Sequence, residues 1–199
     1  MREEPNLPDD EDDISEVLAL KTRQANFSLN QKNRGLSFPP EWEKPIQPAS
    51  KANIGQNKKK KKPDFSCPFR NDSAQNFEEA WLDYHIECKR LGKPSSPSWI
   101  LNRNYVENGI VRFLDPQHRY GKGAKSGAMI GYVQNMDTES ILKEINETIQ
   151  GSTKYKISLI TFSGNGFDEK GITKTSQKFS RKHVLPSLFH LRHIWVDLR

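Results

Sequence analysis

Apolar residues in this 199-residue chain gather in five stretches, at 77–91, 99–114, 128–133, 155–162 and 184–198, with long polar runs between them. Ahead of the first stretch, Ile14, Val17 and Leu18 form a short apolar stripe at helical spacing. Asp12 or Asp13 can cap it and Glu16 falls in its first turn, so a helix is expected over 13–26. Residues 1–12 read as an acidic, flexible lead-in. Residues 30–62 are rich in Pro, Asn, Lys and Gln and read as irregular, with Leu36-Ser37-Phe38 a candidate for pairing at a sheet edge. A short strand is expected at 63–69, then a turn at Asn71-Asp72-Ser73. The clearest strand closes the stretch 77–89. Trp81, Asp83, His85, Glu87 and Lys89 alternate there with Leu82, Tyr84, Ile86 and Cys88, so Glu87 and Lys89 share a face.

Gly92, Pro94 and Pro97 then break the chain. A helix is expected over 102–114, stopped by Asp115-Pro116. Residues 117–127 read as a basic, Gly-rich, mobile loop. The uninterrupted apolar run 128–133 suits a buried central strand. Asp137 or Thr138 opens a helix over 138–150, with Ile141, Leu142, Ile145 and Ile149 inward and Gly151 at its end. Strands are expected at 155–162 and 188–198, separated by a Gly-, Lys- and Ser-rich loop over 163–182. This order predicts an α/β protein, a mixed sheet flanked by helices, with 13–199 as a single domain.

Composition refines the picture. Hydrophobic residues make up 34% of the chain, enough for one modest core with much of the remainder exposed. The net charge of +6 hides an asymmetry. The first 16 residues hold eight acids against Arg2, and the other 183 hold 30 basic and 17 acidic residues, a balance of +13. A basic body favours a polyanionic partner through phosphate contacts and counterion release. Lys58 to Lys62 form an unbroken lysine run, which suits a solvated loop, a phosphate-contacting arm or nuclear targeting. Cys67 and Cys88 are the only cysteines, too few for a disulfide framework or a Cys-rich zinc module. No apolar run reaches the roughly 18 residues of a membrane span, and the acidic start is unlike a secretory leader. A cytoplasmic protein without membrane contact is expected.

The candidate chemistry lies at Pro63-Asp64 and at Glu87-Cys88-Lys89. An Asp and a strand-borne Glu-x-Lys bring two carboxylates and an ammonium together. Asp64 and Glu87 can hold a divalent cation through hard oxygen ligands. Lys89 can stabilise charge on a phosphate or orient the attacking water. His85 shares the Glu87 face and reads as a hydrogen-bonded structural histidine. Arg112 reads either as a phosphate ligand or as the partner of an acid such as Glu107 or Asp83. Lys122, Lys125, Lys174, Lys178, Arg181 and Lys182 sit in stretches expected to be loops, where they can grip a nucleic-acid backbone.

With Pro63-Asp64 and Glu87-Cys88-Lys89 in this order, 23 positions apart, the chain resembles the PD-(D/E)XK nuclease superfamily, of restriction-endonuclease-like fold. Tyr105-Val106, Gly109-Ile110, Arg112-Phe113 and the segment 127–132 look like a bacterial branch associated with restriction and anti-phage defence. The resemblance covers about residues 11–163 and implies a Mg²⁺-dependent endonuclease, with Mn²⁺ as a substitute metal. Asp64, Glu87 and Lys89 would be catalytic, and the Cys88 carbonyl would complete the metal shell. An acid from the first helix would join them. Glu11, Asp12, Asp13 and Glu16 compete, and Glu16 is favoured for its place inside the helix pattern. DNA is the expected partner ahead of RNA, with Lys60, Lys61, Lys62, Arg112, Lys122, Lys125 and Arg181 as candidate contacts. A homodimer or a larger defence complex is compatible with it. So is the alternative of a catalytically degenerate subunit that binds nucleic acid or docks a partner.

Overall fold

The computed structural model describes residues 8–46, 62–77, 79–162 and 166–199. Within them the protein is a mixed α/β structure around one six-stranded sheet of order β1-β2-β3-β4-β6-β5. The strands are β1 (Glu41–Trp42), β2 (Phe65–Arg70), β3 (Trp81–Leu91), β4 (Ser126–Val133), β5 (Ile172–Ser180) and β6 (Leu188–Asp197). β3, β4 and β6 run parallel at the centre, while β2 and β5 pair antiparallel on either side.

Helices cover both faces. On one, α1 (Glu11–Asn30) sets Ile14 and Ala19 against Phe65, Cys88 and Tyr132. On the other lie α2 (Leu101–Tyr105), a π-helical turn (Val106–Ile110), α3 (Val111–Leu114) and α4 (Thr138–Gly151). Their Tyr105, Ile110, Phe113, Ile141 and Ile145 pack on Leu91, Met129, Val133 and Trp195. Strand alternation sorts the sheet residues between these cores: Cys88 and Tyr132 face α1, while Leu91, Met129 and Val133 face the other helices. No helix among the described residues is long and apolar enough to cross a membrane.

Four elements differ from the sequence expectation. α1 starts at Glu11 rather than 13, because Asp10 is the cap, its Oδ1 accepting from the Asp12 amide at 2.9 Å. The acids that follow then lie in the first turn, where the helix dipole favours them. Residues 11 and 12 therefore leave the expected lead-in, and residues 1–7 lie outside the described residues. The sheet edge is formed by Glu41–Trp42, not by Leu36-Ser37-Phe38. Leu36 is held instead by Asn26, whose side chain accepts its amide at 2.7 Å. The expected helix 102–114 is helical from Leu101 to Leu114 but is interrupted by the π turn.

The largest difference lies near the C-terminal end. Residues 155–162 form no strand, and β5 falls inside the expected loop. The buried side of β5 is Thr173, Gln177 and Phe179, a polar pattern that apolar periodicity passes over. The 155–162 segment makes side-chain bonds where a ladder would be. Asn146 clasps both backbone groups of Ile160, at 2.8 and 2.9 Å, and Gln177 donates to the Ser158 carbonyl.

Gly131 leaves room for side chains of both neighbouring strands, Leu91 of β3 and Trp195 of β6. A Cβ there would lie 2.4 Å from Leu91 Cδ1 and 2.8 Å from Trp195 Cδ1, both in fully buried side chains. Overpacking of this kind costs about 1–3 kcal/mol. Gly131→Ala is expected to lower the melting temperature by roughly 2–12 °C, at about 2–4 °C per kcal/mol for a chain this long, read by differential scanning calorimetry. An unchanged melting temperature would mean that the core repacks freely.

Candidate active site

The β2–β3 ladder ends at Phe65 opposite Ile86, while β3 continues to Leu91. On this side β3 loses its neighbour, and the Cys88 and Arg90 amides need other acceptors, since a buried amide without one is costly. Two carboxylates supply them. Asp64 Oδ2 accepts from Cys88 N at 2.5 Å, and Glu11 Oε2 accepts from Arg90 N at 3.0 Å. The acids thus gather where the sheet opens, and backbone chemistry holds them there.

Lys89 joins them from β3. Its Nζ lies 2.7 Å from Glu11 Oε1 and 2.9 Å from Glu87 Oε1, and donates to the Cys88 carbonyl at 2.6 Å. From α3, Arg112 pairs with the same Oε1 of Glu87. Arg112 Nη1 is 3.5 Å from the Tyr120 hydroxyl, which donates to the Lys62 carbonyl at 2.7 Å. Gly109 in the π turn lets this helix approach β3. A Cβ there would lie 2.4 Å from Met129 Cε and 3.5 Å from Lys89 Cγ.

Burial dominates the electrostatics. Glu87 is fully buried, and desolvation, reinforced by the nearby Asp64 charge, pushes its carboxyl up to about 8. Burial likewise raises Asp64 to about 6. Burial works against the Lys89 ammonium, but Glu87, Asp64 and Glu11 outweigh it and hold the pKa above the usual lysine value. Lys89 stays charged at neutral pH. Glu87 Oε2 has no hydrogen-bond partner, an unanswered acceptor at the centre of the cluster.

These groups suit a hard divalent cation: two carboxylates with raised pKa values, one unanswered oxygen and the Cys88 carbonyl beside them. Among the described residues no group of three or more His, Cys, Asp or Glu is arranged as a metal cluster. As the side chains stand, Lys89 and Arg112 occupy Glu87 Oε1, and Lys89 also holds the Cys88 carbonyl.

The structure gathers Asp64, Glu87, Cys88, Lys89 and Arg112. The helix acid that meets them is Glu11. Glu16 is exposed, since five residues further along the helix it points about 140° away from Glu11. Lys60 and Lys61 lie outside the described residues. Lys62 is exposed, with Nζ 3.4 Å from Glu43, and Lys122 and Lys125 are exposed beside β4. Arg181 is no surface contact for a nucleic acid. It is buried and donates to the carbonyls of Tyr120, Gly121, Ala124 and Pro186, with its guanidinium 4.0 Å from the Phe189 ring centroid. Desolvation lowers its pKa to about 10.

The 117–127 segment is anchored by those bonds rather than loose, and Tyr120 is buried. Tyr120 had no signature in the sequence, because only the fold of its Gly-rich loop carries it to Arg112. His85 is structural: Nδ1 accepts from Gly121 N at 2.9 Å, and burial lowers the ring to about 4, so it stays neutral. Its Nε2 has no partner. No family profile, curated protein or solved structure matches the chain.

Proposed function

We propose that this protein is a divalent-metal-dependent nuclease on a restriction-endonuclease-like core, cutting phosphodiester bonds, in DNA ahead of RNA. One observation carries the reading. Asp64, Glu87 and Lys89, chosen from sequence for this chemistry, converge where β2 leaves β3, with Glu11 and Arg112 closing the cluster. Bound there, Mg²⁺ or Mn²⁺ would neutralise phosphate oxygens and acidify a water. Asp64, Glu87 and the Cys88 carbonyl would hold it, with Glu11 alongside. Lys89 remains protonated and, turned from the Cys88 carbonyl, can place its ammonium on the charge that builds on phosphorus. Glu11 and Glu87 position Lys89, and Arg112 fixes Glu87. A restriction or anti-phage role, and assembly as a homodimer or larger complex, belong to the same proposal. One such site cuts one strand, so duplex scission would call for a second.

The test is incubation of the purified chain with supercoiled, linear, single-stranded and branched DNA and with RNA, in Mg²⁺, Mn²⁺, Ca²⁺ or EDTA. Cleavage should require Mg²⁺ or Mn²⁺ and should fail in Asp64→Asn. Equal cutting by that variant would remove the site assignment. Glu11→Gln is expected to slow cleavage about tenfold or more by loosening Lys89, as supporting groups around such sites do. Glu16→Gln should leave it unchanged, and the reverse pattern would reinstate Glu16.

A second reading has its own support. Lys89 and Arg112 already balance the buried Glu87, as cations do in a site that has lost its metal. In that case the chain is a non-cleaving subunit that binds nucleic acid or docks a partner. It would bind DNA without cutting, and isothermal titration with Mn²⁺ would give no heat attributable to Asp64 and Glu87.

A further inference from the structure

A cavity of about 690 Å³ opens beside the N-terminal half of β3, outside the carboxylate cluster. Its exposed wall is aromatic. Trp81 is 55% exposed and Phe38 47%, their ring centroids are 5.8 Å apart, and Phe77 at the rim is 82% exposed. Large apolar rings left open to water in one hollow mark a binding surface rather than a core. Arg119 and Lys122 line the same hollow, and neither is in an ion pair among the described residues. Lys44 also lines it, paired with Glu41 at 2.5 Å. Open rings interleaved with unpaired cations are the combination that binds unstacked nucleobases and their phosphates.

The cavity and the cluster lie along the same strand. Trp81, Asp83, His85 and Glu87 share one face of β3, so from Trp81 to Glu87 is about 20 Å at the strand's rise per residue. His85 is in the cavity wall, and its ring meets Tyr120 edge-on at 5.5 Å, while the Tyr120 hydroxyl reaches Arg112. The Asp83 carboxyl, also in the wall, is raised by burial. It faces the aromatic hollow, where an acceptor suits the exocyclic amine of a base rather than a phosphate.

Building on the nuclease reading, we propose that this cavity receives an unpaired nucleobase of the strand whose phosphate lies at Asp64, Glu87 and Lys89. The base stacks on the face of Trp81, with Phe38, its plane 75° from that of Trp81, bordering the base edge-on, and Arg119 and Lys122 take the flanking phosphates. The preferred substrates are then nucleic acids with unpaired nucleotides, whether single strands, flaps or bulges, ahead of continuous duplex.

The test is fluorescence-anisotropy binding in EDTA, which separates binding from cutting, with a labelled mixed-sequence 15-mer as single-stranded DNA, single-stranded RNA and blunt DNA duplex. The single-stranded DNA should bind at least tenfold tighter than the duplex. Trp81→Ala should weaken single-stranded binding roughly 5- to 150-fold, the worth of stacking one base, and leave duplex binding unchanged. Phe38→Ala should act in the same direction, and both residues are exposed enough for the variants to fold. Tighter RNA than DNA binding, with the same dependence on Trp81, would keep the subsite and reassign the sugar. Indifference to Trp81→Ala, or equal losses on duplex and single strand, would overturn the proposal. Cleavage is scored separately on the same proteins. Trp81-dependent single-strand binding without metal-dependent cutting keeps the subsite and removes the nuclease. Duplex cutting indifferent to Trp81 does the opposite.

Discussion

Replacing Lys89 with alanine is expected to lower Mg²⁺-dependent cleavage by about 10²- to 10³-fold, the range for removing one group that stabilises developing charge. The size follows from the position of Lys89. Its side chain is 9% exposed, its ammonium touches Glu11, Glu87 and the Cys88 carbonyl, and the surrounding carboxylates keep it charged. No other ammonium among the described residues bonds to both Glu11 and Glu87. Single-turnover cleavage of supercoiled DNA measures the effect. A folding control is needed, because the substitution leaves Glu87 with Arg112 alone. Matching circular dichroism and a melting temperature within a few degrees of wild type would assign the loss to chemistry. Lys89→Ala protein that cleaves at the wild-type rate would end the proposed role.

The second large effect links pH, metal and stability. Glu87 is raised from 4.5 to about 8 in the folded protein, and Asp64 from 3.8 to about 6. Each carboxyl binds more protons in the native state than in the unfolded chain and so lowers stability as pH rises. The buried His85 and His193, held neutral at about 4 and about 3 against an ordinary 6.5, oppose this below about 6.5, so the net fall runs from about pH 6.5 to about 8. Lys89 moves the other way: a raised ammonium pKa adds stability that is fully present below 10.5, so it is constant across this window. The metal-free protein should therefore lose about 1–2 kcal/mol between pH 6.5 and 8, or roughly 2–8 °C in melting temperature.

A divalent cation reverses the trend, because it binds the deprotonated carboxylates and its affinity climbs as the protons leave. At about one hundred times its dissociation constant the metal adds about 2.7 kcal/mol. The Mg²⁺ or Mn²⁺ shift in melting temperature should then be several degrees larger at pH 8 than at pH 6. Glu87→Gln should flatten the metal-free slope and shrink the metal effect. Calorimetry across this grid needs no activity and so separates the two functional readings. A pH slope without any metal shift at pH 8 would favour the non-cleaving subunit.

The parts of the fold legible in the sequence were those with strong local patterning. The alternation from Trp81 to Lys89, the apolar run ending at Val133 and the amphipathic α4 all appear at their expected places. β5 was not legible, because its buried face carries Thr173 and Gln177 and its register comes from pairing with β6 rather than from its own composition. Arg181 shows the same limit: a basic residue between Ser180 and Lys182 reads as solvated until the fold wraps four carbonyls around it. The choice between Glu11 and Glu16 turned on the cap. Moving the helix start by two residues changes which first-turn acid faces the end of β3.

By itself the sequence determined the chemical types, Asp64, Glu87 and Lys89, and placed Glu87 and Lys89 on one face of a strand, because side-chain direction along a strand is a local property of period two. Tertiary structure decided which groups they meet. Glu11 is 76 residues from Glu87, and Arg112 is 25 residues on the other side of it. Both arrive because β2 stops short of the end of β3, leaving backbone amides that carboxylates must answer and a buried acid that cations must balance. Where the β2–β3 ladder ends is set by the register between the two strands, and the pattern of neither strand alone encodes it.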